Sequence, residues 1–92
     1  MIRSFRHKGL KRLFEQHDSS GINSEHVGKL QNIPATLNAA PTVEHMNLPG
    51  IRLHPLKGDL KGYWSVTVRA NWRIIFRFAG ADAYDVELID YH

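Results

Sequence analysis

The sequence predicts an α+β fold: two to three helices near the start, packed on one face of a small antiparallel sheet. Three observations predict it. Apolar residues recur at helical spacing before residue 40. After residue 50 they recur at period two. The segments of period two are joined by turns too short for a crossover, so neighbouring strands must run antiparallel.

The first helix is marked by Leu10, Leu13 and Phe14, with His17 one turn on and cations on the other faces. Gly9 should weaken its beginning, and Ser19-Ser20-Gly21 should end it. Asn23 or Ser24 is the expected N-cap of a second helix, whose stripe is Val27, Leu30, Ile33 and Leu37. Pro34 interrupts that stripe. A proline inside a helix removes a backbone bond and crowds the preceding turn, at a cost of about 3 kcal/mol. A break or kink is therefore expected near Asn32 and Ile33, with Pro34 opening a short further helix as its first residue. Residues 41–50 contain Pro41, Pro49 and Gly50 and read as connection.

Ile51 and Leu53 then alternate with Arg52 and His54, and residues 55–62 form a loop with two glycines. Residues 63–69 are a strand with Trp64, Val66 and Val68 on one face and Tyr63, Ser65, Thr67 and Arg69 on the other. Ala70 and Asn71 make a tight turn. Residues 72–78 follow, with Trp72, Ile74, Phe76 and Phe78 on one face and Arg73, Ile75 and Arg77 on the other. Gly80-Ala81-Asp82 turns the chain into a last strand over residues 83–91, and Ile2 to Phe5 has room for a short additional one.

A chain of 92 residues is expected to form one domain, spanning residues 1–92. With no cysteine, disulfides and thiolate metal sites are excluded, which fits a reducing cytoplasm. No apolar run approaches the roughly 20 residues of a membrane span, and the start lacks the apolar stretch of a secretory signal. The expectation is a soluble, cytoplasmic protein with no membrane contact. The net charge of +3 is modest, but Arg3, Arg6, Lys8, Lys11 and Arg12 all precede the first acid, Glu15. Arg52, Lys57, Lys61, Arg69, Arg73 and Arg77 form a second set. Clustered cations of this kind attract polyanions.

The chemistry concentrates where these patterns meet. Arg69 and Arg73 flank one turn and should share the sheet face opposite the helices, where like charges repel unless an anion sits between them. Arginine suits phosphate because its planar fork donates two hydrogen bonds. Lys57 from the preceding loop and His54 beside it complete a basic patch, and Asp90, Tyr91 and His92 close the last strand. Cutting RNA without a metal needs a base for the ribose 2′-hydroxyl, cations for the phosphate and an acid for the leaving oxygen. His92 suits either proton-transfer role. Lys57 can neutralise developing charge, or act as a base if desolvated. Asp90 can orient a partner, and Tyr91 can stack on a base. Other chemistries have less behind them. The histidines lack metal-ligand spacing, no glycine-rich phosphate loop is present, and Ser65 sits mid-strand without a nucleophile motif. No cofactor is expected.

Together these segments resemble a known family. Ile51-Arg52-Leu53-His54-Pro55-Leu56-Lys57-Gly58-Asp59, Gly62-Tyr63-Trp64-Ser65-Val66, Asn71-Trp72-Arg73-Ile74 and Asp90-Tyr91-His92 resemble the HigB toxins of the RelE/ParE superfamily. Met1-Ile2-Arg3-Ser4-Phe5 and the nearby Gly9-Leu10 also resemble them, whereas residues 18–47 match loosely. The resemblance implies a RelE-like fold and a ribosome-dependent endoribonuclease that cuts messenger RNA in the A site and leaves a 2′,3′-cyclic phosphate. It places Lys57, Asp90, Tyr91 and His92 at catalytic positions, with His54, Arg69 and Arg73 in or around the site. It implies a helix-turn-helix antitoxin of the HigA type, and operator DNA bound only through the toxin–antitoxin complex. Two other readings share the architecture: a ParE-like poison of DNA gyrase, and a non-catalytic module that holds nucleic acid or the ribosome.

Overall fold

The structure, a computed structural model, describes residues 1–90. Tyr91 and His92, and the site roles expected of them, lie outside the described residues. Helix α1 runs Lys8–Gln16. His7 caps it: its Nδ1 accepts the Leu10 amide at 3.0 Å, satisfying one of the unpaired donors of the first turn. His17 closes it in the left-handed conformation at φ 56°. The helix therefore ends ahead of Ser19, and His17 leaves the apolar face for solvent.

Gly9 has a different role from the one expected. A Cβ there would lie 2.8 Å from the Gly21 carbonyl oxygen, so the glycine permits a close approach of α1 to the following loop. In an open helix, glycine to alanine gains about 1 kcal/mol. Here Gly9→Ala should instead cost about 1–3 kcal/mol through overpacking against rigid backbone. Thermal unfolding checks this; an unchanged or raised midpoint would remove the argument.

Asn23 is the cap that the sequence left between two residues. Its side chain accepts the Glu25 amide at 3.0 Å and opens a 3₁₀ turn, Ser24–His26. That turn runs on into α2, Val27–Ala39. The expected break at Pro34 does not occur: α2 is continuous through it, and no further α-helix starts there. The reason is burial. The Pro34 ring is among the fully buried side chains, flanked by buried Ile33 and Leu37, so core packing holds the segment helical despite the missing N–H. The connection after α2 also carries unexpected structure, a 3₁₀ turn at Val43–Met46 that buries Met46 completely.

Four antiparallel strands follow in the order β1 (His54–Pro55), β2 (Trp64–Arg69), β3 (Trp72–Ala79) and β4 (Asp82–Asp90). The regular ladder of β1 begins at His54, although the Ile51 carbonyl already accepts the Thr67 amide at 2.6 Å; between them Arg52, at φ 52°, breaks the alternation. The N-terminal segment lies parallel to β4 through isolated bridges at Ile2 and Phe5. Arg3 N donates to Ala83 O at 2.7 Å, and Arg6 N to Val86 O at 2.8 Å.

The core is the layer between helices and sheet. Leu10, Leu13, Leu30 and Leu37 meet Val66, Val68, Ile74, Phe76 and Val86, all essentially inaccessible. The period-two faces of β2 and β3 are thus oriented as predicted up to the bulge before Arg69, with the apolar face inward. Among the described residues no helix is long and apolar enough to cross a membrane.

Candidate active site

With one sheet face covered by helices, the other is free of them and opens to solvent at its margins, although Ser65 and Ile75 at its middle are buried; cross-strand register says which side chains share it. His54 pairs with Ser65, Ser65 with Ile75 and Ile75 with Glu87, forming one row across all four strands. Thr67, Arg73 and Ile89 form the next row. Arg77 and Tyr84 pair at the other end.

His54 is exposed, and its Nδ1 lies 3.1 Å from the Arg52 carbonyl oxygen. A carbonyl only accepts, so this bond places the proton on Nδ1. In the neutral ring Nε2 is then the acceptor. The left-handed Arg52 is what turns its carbonyl into place. Lys57 is exposed in the loop after β1, immediately before the 3₁₀ turn Gly58–Leu60. The Leu56 amide donates to Tyr63 O at 2.9 Å, which extends the β1–β2 pairing to the edge of that loop. Arg73 is half-buried in β3, and its Nη1 donates to the Ala70 carbonyl at 3.1 Å, tying the guanidinium to the β2–β3 turn.

Arg69 is not beside Arg73 on the open face. The β2–β3 register shifts between Thr67 and Arg69, so Arg69 pairs with Trp72, whose ring belongs to the helix side. Its Nη1 lies 3.3 Å from Glu25 Oε2, ahead of α2. Lys29 of α2 donates to the Val68 carbonyl at the bulge, at 2.8 Å. The bulge thus goes with an Arg69 side chain turned to Glu25, while Arg73 is tied to the turn at Ala70. Asp90 falls in the same row as Arg69, across Trp72. The predicted residues thus divide: His54 and Arg73 on the open face with Lys57 in the adjoining loop, and Arg69 and Asp90 at the end of the sheet on its helix side.

An exposed ion pair such as Arg69–Glu25 contributes about 0–1 kcal/mol. Arg69→Gln should accordingly change stability by less than about 1 kcal/mol and lower activity far less than Arg73→Gln. Parallel melting and cleavage assays check both; an equal loss of activity would return Arg69 to the centre of the site.

Sequence reasoning missed a polar strap across the same face. Arg6 Nη1 donates to Tyr63 Oη at 3.3 Å, and its Nε lies 3.9 Å from Glu87 Oε2. The Tyr63 hydroxyl, helped by the Glu87 charge, raises the Arg6 guanidinium pKa above its ordinary range. Tyr63 and Glu87 were in phase with the open face, but Arg6 reaches it only through the parallel seating of the N-terminal segment on β4. Among the described residues no three acidic or histidine side chains gather as metal ligands would.

A sheet with helices packed on one face corresponds to the α+β fold that the family resemblance implies. The family model for the RelE-like toxin of the type II toxin–antitoxin system HigB matches residues 3–92. The chain belongs to the HigB-like toxin family. The toxin is also similar to the protein named Endoribonuclease HigB of Proteus vulgaris, 48% identical over 92 residues, the whole of both chains. Membership implies a type II toxin–antitoxin system, and so an antitoxin partner for this toxin.

Proposed function

We propose that the toxin is an endoribonuclease that cuts messenger RNA in the A site of the 70S ribosome and so arrests translation. The single observation that carries the mechanism is the open sheet face that places His54 and Arg73 in adjacent rows with Lys57 at its border. The name of the Proteus vulgaris relative supports the reaction class.

The step is a transfer within the RNA. A base takes the proton of the ribose 2′-hydroxyl, and the oxygen attacks the neighbouring phosphorus. The bond from phosphorus to the 5′-oxygen breaks, and an acid protonates that oxygen. The products are a 2′,3′-cyclic phosphate and a 5′-hydroxyl. Arg73 holds the phosphate, and Lys57 neutralises charge developing on it. His54 Nε2 is a proton acceptor on this face, and His92 is proposed as its complement at the other proton transfer. Asp90 orients a partner cation, Tyr91 stacks on a base, and Arg69 reinforces the rim. The reaction needs no metal or cofactor. The partner that silences the toxin is proposed to be a HigA-like helix-turn-helix protein, the pair binding operator DNA together in the cytoplasm.

The test is transcript cleavage with and without purified ribosomes. Cuts should map within the A-site codon, require ribosomes, and disappear in Lys57→Ala and His92→Ala. Equal cutting of naked RNA would overturn ribosome dependence. Trapped gyrase and broken DNA without RNA cuts would return the toxin to the gyrase-poisoning class.

A further inference from the structure

At the Arg77 end of the open face lies a groove of about 390 Å³ that the proposed cleavage chemistry does not use. It is lined by Gly62, Arg77, Tyr84 and Asp85 among others, and its volume falls within the roughly 300–1,000 Å³ of small-ligand sites. Tyr84 is one of few large apolar side chains left in solvent, 37% exposed, and it is paired in register with Arg77. Gly62, at φ 98°, has open space where a Cβ would stand, so the β2 side of the groove is unobstructed.

The remaining member is held in an unusual way. The β3–β4 register shifts between Ile75 and Arg77, and the extra residue is Asp85, in the left-handed region at φ 54°. Bulges re-aim side chains, and aspartate tolerates this conformation better than most residues. The backbone of the bulge is already satisfied: the Asp85 amide donates to Ser4 Oγ at 2.8 Å, and the Val86 amide to Ser4 O at 3.1 Å. The carboxylate is therefore not needed to hold the turn. Its own contacts are long, 3.4 Å from Ser4 Oγ and 3.9 Å from Arg77 Nη1. It lines the groove beside an aromatic ring and a guanidinium.

These three groups suit one kind of ligand. A tyrosine ring on an open sheet face stacks on unpaired bases. An ionised carboxylate only accepts hydrogen bonds. Guanine is the RNA base whose edge offers two adjacent donors, N1–H and the N2 amino group. Arg77, 60% exposed and loosely paired, can meet the phosphate of the same nucleotide.

We propose that this groove is a base-recognition subsite for an unpaired guanine of the RNA the toxin engages, stacked on Tyr84 and read by Asp85. The proposal rests on the reading of the toxin as an RNA-cutting enzyme, and it adds a preference outside the scissile phosphate. The guanine belongs either to the messenger or to ribosomal RNA, and the experiment separates the two.

The first arm titrates the full-length toxin with the four nucleoside 5′-monophosphates at millimolar concentration and follows backbone amide signals by NMR. Guanosine monophosphate should shift Gly62, Tyr84 and Asp85, with at least about fivefold preference over the other three, the lower end of a bidentate base contact. Tyr84→Phe should keep the binding, and Tyr84→Ala should lose it. Asp85→Asn, which still tolerates the left-handed backbone, should level the preference. Equal binding of all four nucleotides, no binding, or shifts confined to His54 and Arg73 would overturn the subsite. So would a Tyr84→Ala toxin that loses antitoxin affinity but keeps its nucleotide binding, since the groove would then be a protein contact.

The second arm maps transcript ends for the wild type and Asp85→Asn. Loss of a guanine preference at a fixed distance from the cut assigns the base to the messenger. Weaker ribosome affinity with an unchanged cut profile assigns it to ribosomal RNA. Absent cleavage with intact guanine binding would sink the enzyme reading alone. Intact cleavage with a guanine-blind groove would sink the subsite alone.

Discussion

Lys57→Ala should slow single-turnover cleavage of ribosome-bound messenger by about 10²- to 10⁴-fold, the range spanned by positioned proton-transfer and charge-stabilising groups. Folding should be unaffected. Lys57 is exposed, its side chain does not cap the turn it precedes, and its backbone carbonyl accepts the Leu60 amide at 3.4 Å, a bond that alanine keeps. Lys57→Arg separates two roles. Arginine keeps the charge but does not deprotonate in proteins. Substantial rescue by arginine would assign Lys57 to charge neutralisation. No rescue would assign it to proton transfer. A fully active alanine variant would take Lys57 out of the site altogether.

The second large effect concerns stability. Phe76→Ala should cost about 3–5 kcal/mol, against a typical domain stability of about 5–15 kcal/mol. Phe76 is fully buried at the centre of β3, in register with Trp64 and in the layer that meets the helices. Emptying that position removes the apolar burial and leaves a cavity that a two-layer fold this thin cannot easily close. Denaturant unfolding measures the loss. A cost below about 1 kcal/mol would mean that the helix–sheet layer relaxes far more than close packing allows. The same substitution should lower activity only in proportion to the folded fraction, because the Phe76 side chain lies in the core layer between helices and sheet. Comparing the two variants separates the roles of the two faces: one changes rate without stability, the other stability without rate per folded molecule.

Period-two alternation in β2 and β3 and the short turns between strands sufficed to predict the sheet, its antiparallel order and its inward face. His54 and Arg73 were legible for the same reason, since alternation assigns faces. Arg69 was not, because a single extra residue at a bulge reverses the face assignment and leaves no compositional mark. Pro34 misled for a related reason. Its local cost is real, but the burial of its ring is a tertiary fact that no neighbouring residue announces. Arg6 joins the open face only because the N-terminal segment lies along β4, a pairing between residues some eighty positions apart, and Asp85 is re-aimed by a bulge in β4. Gly9 likewise read as a helix weakness until the loop that it touches was in view.

The central claim is that this sheet face carries out 2′-hydroxyl attack on messenger RNA. The chemistry of the cut ends tests it most directly. A defined transcript with its start codon in the P site should be incubated with purified 70S ribosomes and the full-length toxin, and the products analysed by mass spectrometry. The account predicts an upstream fragment ending in a 2′,3′-cyclic phosphate and a downstream fragment beginning with a 5′-hydroxyl, with a cut inside the A-site codon. A 3′-hydroxyl and 5′-phosphate at the cut, or an intact transcript, would contradict it.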